Sequence, residues 1–311
     1  MVEPLLQHDE TTPPAPRPLL GYAMVLTAAT LWAVNGAVSK VILDEGVSSL
    51  RLSEVRSTGA FLGLGLVLAL AAPQRLQVGR HELPILALFG VAGLAFVQWF
   101  YFVAIHRLAL GVALLIQYLA PLLVALFARY VLHERVRRRI WFALALALVG
   151  LSFVLEIWGG AELDGIGVGA SLLAATSYAL YVLVAEREIG RRDAISLTTY
   201  GFLFASLFWA VVQPWWTFPT HVFGAEASGA WALPVWSLMT WMVVLGTIVP
   251  FGLLVAALRF VSATRAAITA MIEPVAATFV AWIWLGEALG AAQLGGGAVV
   301  LAGILLAQTA R

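Results

Sequence analysis

Residues 271–287 read "MIEPVAATFVAWIWLGE", with an acid and a proline side by side in an otherwise apolar run. A buried charge costs free energy, and proline removes a backbone hydrogen bond from a helix. A similar stretch, "YLAPLLVALFARYVLHE" (118–134), lies 153 residues earlier, so that Pro121 matches Pro274. Two copies of one pattern at a fixed spacing indicate an internal repeat.

The composition predicts a membrane protein. Of the 311 residues, 62% are hydrophobic and only 11% are charged, and the mean hydropathy is +0.94. Soluble domains are about half apolar and about a quarter charged. The absence of cysteine excludes disulfides and thiolate metal sites. Residues 1–19 are mostly polar and proline-rich, which predicts a short disordered cytoplasmic tail.

Ten apolar runs are long enough to cross a bilayer, and runs of this length and continuity are helices because helices satisfy their own backbone in hydrocarbon. They lie at 20–43, 50–72, 83–105, 110–132, 140–158, 166–186, 195–214, 234–258, 264–285 and 291–310. The sequence therefore predicts an all-α integral membrane protein with ten transmembrane helices.

The repeat divides these helices into two sets of five, over 20–158 and 159–311. An earlier block repeats at an offset of 146, with "LTAATLWA" (26–33) matching "LLAATSYA" (172–179). Because five is odd, the second set must enter the membrane upside down. In transporters, inverted repeats place the ligand site near the bilayer midplane, and interrupted helices mark it. We therefore expect a central cavity between the two sets.

The distribution of Lys and Arg predicts the orientation. With the N-terminus inside, 14 of these 18 residues fall on the inner side and four on the outer side. Both termini are therefore predicted to be cytoplasmic, in a multi-pass protein of the plasma membrane (the inner membrane of a bacterium). We expect no Lys or Arg deep in a span, which argues against phosphorylated ligands. The net charge of +1 gives no reason to expect nucleic acid.

Polar and aromatic side chains are concentrated in some predicted helices and are nearly absent from the fifth and tenth. Any one of them is as readily explained as interhelical hydrogen bonding as by a role in a cavity. Taken together, they predict a polar, aromatic, ligand-binding cavity. Its predicted lining residues are Trp32, Asn35, Gln98, Tyr101, Gln117, Tyr178, Tyr181 and Glu273.

Glu273 is the most deeply placed acid, and an ionisable group inside a membrane is a functional hypothesis in its own right. Its repeat mate is Ala120, so the fold does not need an acid at both positions. Glu273 is predicted either to carry a proton or to pair with a ligand ammonium. The alternative is a neutral side chain that only holds the helix.

Pro121 and Pro274 each free a carbonyl one turn earlier and kink their helices. The kinks are either hinges or simple bends, and their symmetry favours hinges. Glu54 and Arg56 are predicted to lie at the outer edge, in a salt bridge with Arg51 or Lys40.

Enzyme motifs are missing from the sequence. It contains no HExxH, no GxSxG and no phosphate-binding glycine loop, and all five histidines lie in the tail or near loops. We therefore expect no catalytic residues, no metal and no cofactor. A membrane scaffold or an intramembrane enzyme is the less favoured alternative.

The chain resembles the drug/metabolite transporter superfamily, specifically the ten-helix exporters with two EamA-type domains. The resemblance rests on "APLLVALFARYVLHERV" (120–136), "EPVAATFVAWIWLGEAL" (273–289), "ATLWAVNGAVSK" (29–40) and Arg56. His133 departs from the pattern, since the second copy has a glycine at this point.

This resemblance implies a basket of ten helices around a central cavity, with the fifth and tenth helices at the periphery. It also implies alternating-access export of amino acids and related amphipathic metabolites, closest to the aromatic and broad-range amino-acid exporters. We expect the bilayer and a small-molecule substrate to be the partners, and a monomer to be the functional unit. The alternative is a multidrug or organic-cation exporter, in which Glu273 is the counter-charge and the aromatic residues form a cation–π cage.

Overall fold

The structure, a computed structural model, describes residues 18–108, 110–157, 163–225, 227, 233–285 and 290–309. Within these ranges the chain forms helices joined by short connections, and no β-strand occurs. The all-α prediction is therefore confirmed. The predicted tail lies almost entirely outside the described residues.

Helices occur in each of the ten predicted apolar runs. Their bounds are α1 Pro18–Asp44, α2 Ser49–Ala71, α3 Leu83–Ile105, α4 Leu110–Gln117 and Ala120–Tyr130, α5 Arg138–Val154, α6 Gly165–Glu188, α7 Ala194–Val212, α8 Val235–Ala257, α9 Ala263–Ala270 and Ile272–Leu285, and α10 Ala291–Gln308. Among the described residues, all of these except α5 and α9 are long and apolar enough to cross a membrane. The count of ten spans and the side of the termini stay predictions.

Several helices begin at a side-chain cap. The hydroxyl of Ser48 accepts a hydrogen bond from the backbone N–H of Arg51 at the start of α2. Asp164 and Asp193 accept similar bonds at the starts of α6 and α7. Such caps satisfy N–H groups that have no partner inside the helix, so these residues fix where the apolar helices begin.

Both α4 and α9 are interrupted in the middle. The break in α4 falls at Tyr118 and Leu119, and the break in α9 falls at Met271. Each comes shortly before a proline, Pro121 or Pro274, whose missing N–H leaves an upstream carbonyl without its helical partner. The structure thus contains a discontinuity at both positions where the sequence predicted a kink. A hinge function of these breaks stays a prediction.

Two further irregularities also correspond between the halves. The backbone is π-helical over Leu88–Ala95 in α3 and over Val244–Ile248 in α8, and the 153-residue offset places the second stretch within the first. Gly93 of the first stretch packs against Tyr181, and Gly246 of the second packs against Asn35. π-Helical turns occur often at functional sites, so the region around these two glycine contacts is a candidate functional site.

The packing follows a cross-over pattern. Helix α1 packs against α8 and α9, whereas α6 packs against α3 and α4. The first helix of each half therefore contacts the third and fourth helices of the other half. Helices α5 and α10 pack mainly on each other, with Gly150 against Gly296 and Gly303 against Ala147. Glycine at these contacts lets the backbones approach closely.

An arginine holds each end of the α2–α7 pair. At the predicted outer end, Arg51 donates to Glu54 over 2.6 Å and also bonds the carbonyls of Gln213 and Pro214 and the hydroxyl of Thr217. The expected outer-edge salt bridge between Glu54 and Arg51 is present. These contacts attach the start of α2 to the connection that follows α7.

At the predicted inner end, Arg192 donates to the Glu82 carboxylate over 2.8 Å and to the carbonyl of Gln77 over 3.2 Å. The backbone N–H of Gly79 also donates to Glu82, over 2.8 Å. The Gly79 bond and, secondarily, the Arg192 charge hold the pKa of Glu82 below its ordinary value. The connection between α2 and α3 is thus tied to the start of α7.

Candidate functional site

Glu273 is the centre of the candidate site. It lies in the first turn of the second part of α9, directly after the break, where the helix N-terminus favours a negative charge. The hydroxyl of Tyr118, at the break in α4, is within hydrogen-bonding reach of its carboxylate. Tyr101 of α3 and Tyr178 of α6 interact with it electrostatically. The groups that interact with this acid of α9 therefore belong to α3, α4 and α6.

A chain of aromatic rings extends from this acid across the molecule. The ring centroids of Tyr178 and Tyr181 are 6.0 Å apart, and those of Tyr181 and Phe251 are 5.7 Å apart. Phe251 of α8 in turn packs edge-on against Trp32 of α1, at 5.0 Å. Phe251 thus links the predicted site residues of α1 and α6. It was not among the site residues predicted from the sequence.

Five of the eight predicted lining residues carry buried polar atoms that have no hydrogen-bond partner within the described chain. These atoms are Trp32 Nε1, Asn35 Oδ1, Gln98 Oε1 and Nε2, Gln117 Oε1 and the Tyr181 hydroxyl. Leaving such a group unsatisfied costs about 1–3 kcal/mol. Unpartnered atoms also occur elsewhere, for example on Ser171 and Trp209. Their frequency among the predicted lining residues favours a site that a polar ligand completes.

The side chains of Glu273, Tyr118 and Tyr178 are half-buried. Gln98 is buried one helical turn from Tyr101, on the same face of α3. Substrate binding by the eight residues stays a prediction.

The expectation that Arg56 forms an outer-edge salt bridge is wrong, because its side chain contacts α8 instead. The expectation that no Lys or Arg lies deep in a span stays a prediction. Arg56 Nε donates to Thr247 Oγ1 over 3.1 Å, and Nη2 donates to the Gly246 carbonyl over 3.5 Å. Both acceptors belong to the π-helical stretch of α8. The guanidinium also interacts electrostatically with Glu273. Arg56 therefore faces α8, and its side chain is half-buried.

Helix geometry explains why the side chains of Arg56 and Glu54 face different neighbours. Residues two apart on a helix face different sides, so Glu54 faces Arg51 while Arg56 faces α8. Gly59 and Gly63 lie three and seven residues beyond Arg56 and also pack on α8, against Val243 and Ile248 respectively. The spacing of Arg56, Gly59 and Gly63 in the sequence is the signal that could have assigned the arginine to the helix face that packs on α8.

Two open clefts lie away from this site. One, of about 630 Å³, is bounded by the α1–α2 turn and the end of α3 and includes Ser48, Trp99 and Arg107. The other, of about 400 Å³, lies between α3 and α6. Neither is lined by a predicted site residue. The described residues contain no group of His, Asp or Glu able to hold a metal ion.

Apolar helices of membrane-spanning length that enclose a polar site, with interrupted helices beside it, define the class of membrane transporters. The chain belongs to the EamA-like transporter family, whose family model matches residues 19–156 and again residues 165–309. It is a multi-pass transporter of the plasma membrane that acts on a small molecule, and it is not an enzyme.

Three relatives illustrate the similarity. An uncharacterized transporter of Archaeoglobus fulgidus is 30% identical over 287 residues, 92% of this chain and 96% of its own length. The threonine/homoserine exporter RhtA of Escherichia coli is 28% identical over 254 residues, 80% of this chain and 76% of its own. A probable terminal-alkyne amino-acid exporter of Streptantibioticus cattleyicolor is 29% identical over 297 residues, 92% of each chain.

A solved crystal structure of a protein has the same fold. It aligns with a TM-score of 0.74 over 92% of this chain and 96% of its own, at 18% identity.

Proposed function

We propose that the protein exports neutral and aromatic amino acids through the cavity around Glu273. The observation that carries the proposal is the set of unpartnered buried polar atoms on Trp32, Asn35, Gln98, Gln117 and Tyr181. An amino acid offers both donors and acceptors to such atoms. Its side chain needs an apolar wall, for which the rings of Trp32, Tyr181 and Phe251 are suited.

The relatives support this substrate class, since two of them are named as amino-acid or threonine/homoserine exporters. We further propose that the halves 20–158 and 159–311 are inverted repeats and that export proceeds by alternating access. In this scheme the breaks before Pro121 and Pro274 act as hinges. Because every proposed site residue lies in one chain, a monomer is the proposed functional unit.

The test is a substrate panel in proteoliposomes that contain the purified protein. We expect saturable exchange of labelled phenylalanine and leucine, which unlabelled neutral amino acids inhibit and sugar phosphates do not. Protein-free liposomes give the background. The absence of amino-acid exchange would contradict the proposal.

A second candidate, export of organic cations, is favoured by a different observation. Glu273 interacts electrostatically with Tyr101, Tyr118 and Tyr178, and an acid with aromatic neighbours is suited to a cation. Competition separates the two candidates. A quaternary ammonium compound should inhibit strongly if the protein is a cation exporter and weakly if the site also requires a carboxylate.

A further inference from the structure

The candidate site contains two opposite charges that do not touch. Arg56 and Glu273 interact electrostatically, yet they do not form one of the direct ion pairs within 4.0 Å seen among the described residues. A gap therefore separates a guanidinium on α2 from a carboxylate on α9. The partners of each charge show what this gap is suited to hold.

The Arg56 guanidinium is held in place from one side only. Its Nε and Nη2 atoms donate to Thr247 Oγ1 and to the Gly246 carbonyl, and Thr247 in turn donates to the Met242 carbonyl over 2.9 Å. Among the described residues, no acceptor is bonded to Nη1. Arginine presents its donors in a planar fork that matches a carboxylate. A fixed guanidinium with free donors is therefore suited to bind an anionic group.

A neutral acceptor lies close to one of the contacts of this arginine. Asn35 packs against Gly246 with its Oδ1 unpartnered, and Gly246 is the residue whose carbonyl accepts from Arg56. Glu273 has a neutral partner of its own in Tyr118. Each of the two charges thus has a neutral neighbour, and the two charges are not in direct contact.

We propose that Arg56 binds the substrate carboxylate while Glu273 binds the substrate ammonium, so that the site selects zwitterions. In an α-amino acid a single carbon joins the two groups, so that one molecule offers a partner to each of the two charges. The inference rests on the proposed function and narrows it, because simple amines and simple carboxylic acids each leave one buried charge without a partner. Such unpaired charges are costly.

A purely structural role makes a different prediction. If Arg56 only neutralises Glu273 and holds α2 on α8, its loss reduces transport of every substrate by the same factor. The ratio between substrates that share a ring and differ in their charged groups therefore distinguishes the two roles.

The experiment compares phenylalanine, phenethylamine and 3-phenylpropionate as competitors of labelled phenylalanine exchange in proteoliposomes. For the wild-type protein we expect phenylalanine to compete at least about tenfold better than either analogue, since each analogue lacks one charge-assisted contact. If phenethylamine competes as well as phenylalanine, the inference is wrong, and this result needs no variant.

Arg56→Gln is the informative variant, and Arg187→Gln, which changes an exposed arginine at the predicted inner edge, is the matched control. We expect Arg56→Gln to lower the preference for phenylalanine over phenethylamine by about tenfold or more. Arg56→Lys should restore part of it, because a positive charge remains without the planar fork. An unchanged preference in folded Arg56→Gln would overturn the inference.

Loss of Arg56 alone leaves Glu273 without its opposing charge and can impair folding. The double variant Arg56→Gln/Glu273→Gln removes both charges and is expected to fold, with the zwitterion preference lost. A retained preference in this variant also overturns the inference. If wild-type protein exchanges no amino acid at all, the proposed function itself fails. If it exchanges amino acids with a preference that these substitutions do not alter, only the inference fails.

Discussion

Glu273 lies at a helix N-terminus and interacts electrostatically with three tyrosines and an arginine. Its counterpart in the first half is Ala120, so the site is asymmetric although the surrounding helices are arranged alike. A single acid in only one of the two halves gives the candidate site one acidic side. The proposed binding of a ligand whose two ends differ depends on this asymmetry.

At the residue scale, we expect Glu273→Gln to weaken exchange of amino acids and of amines alike, by about tenfold or more at every pH, because a charge-assisted contact is lost. Exchange measured from pH 5 to 9 in proteoliposomes checks this. Glu134→Gln, at an exposed acid, is the control.

If exchange by Glu273→Gln is intact and only the effect of a pH gradient disappears, Glu273 is a proton carrier. If transport and pH profile are both unaltered, the residue is structural.

The elements that distinguish this bundle are its irregular helices. The two breaks, at Tyr118–Leu119 and at Met271, lie at or next to the site residues Tyr118 and Glu273. The two π-helical stretches contain the glycines that contact Tyr181 and Asn35. Regular helices α5 and α10 instead pack on each other through glycines. The irregular elements therefore contain or contact residues of the candidate site, and the regular pair packs mainly on itself.

At the element scale, we expect Pro121→Ala and Pro274→Ala each to lower turnover severalfold with little change in the substrate concentration for half-maximal exchange. Alanine restores an N–H and stiffens the helix, and opening and closing steps limit turnover in many proteins. Initial exchange rates over a range of substrate concentrations are the measurement. Pro84→Ala, at the start of α3, is the matched control. Full turnover in both variants would show that the prolines only bend their helices and do not act as hinges.

Across the whole molecule, the two halves interlock. Helix α1 packs against α8 and α9, and α6 packs against α3 and α4, while Arg51 and Arg192 tie the opposite ends of the α2–α7 pair. We infer that α2 and α7 move together. Any change between inward and outward access is then expected to occur at the α1 and α6 contacts, where the candidate site lies.

At the scale of the whole molecule, the excess of Lys and Arg on one side predicts the topology. We expect reporter fusions at Gly79, Arg138 and Arg192 to lie in the cytoplasm and one at Gly224 to lie outside. Activity of paired reporters that work on opposite sides of the membrane checks each position. An outside location of the Arg138 fusion would refute both the orientation and the inverted repeat.

The sequence by itself determined the helical class, the positions of the apolar helices and the two mid-helix breaks. These features depend on local properties, because a long apolar run must satisfy its own backbone in hydrocarbon and a proline removes a donor wherever it stands. The offsets of 153 and 146 also brought Asn35 and Tyr181 into correspondence, and the structure has matching glycine contacts at both residues.

Only the tertiary structure decided which of these side chains meet. Arg56 was expected at the outer edge, but the rotation of α2 directs it to Thr247 and Gly246. Phe251 joins Trp32 to Tyr181. Local hydropathy does not contain such information, because the environment of a side chain depends on helix rotation and on neighbours nearly two hundred residues away in the chain.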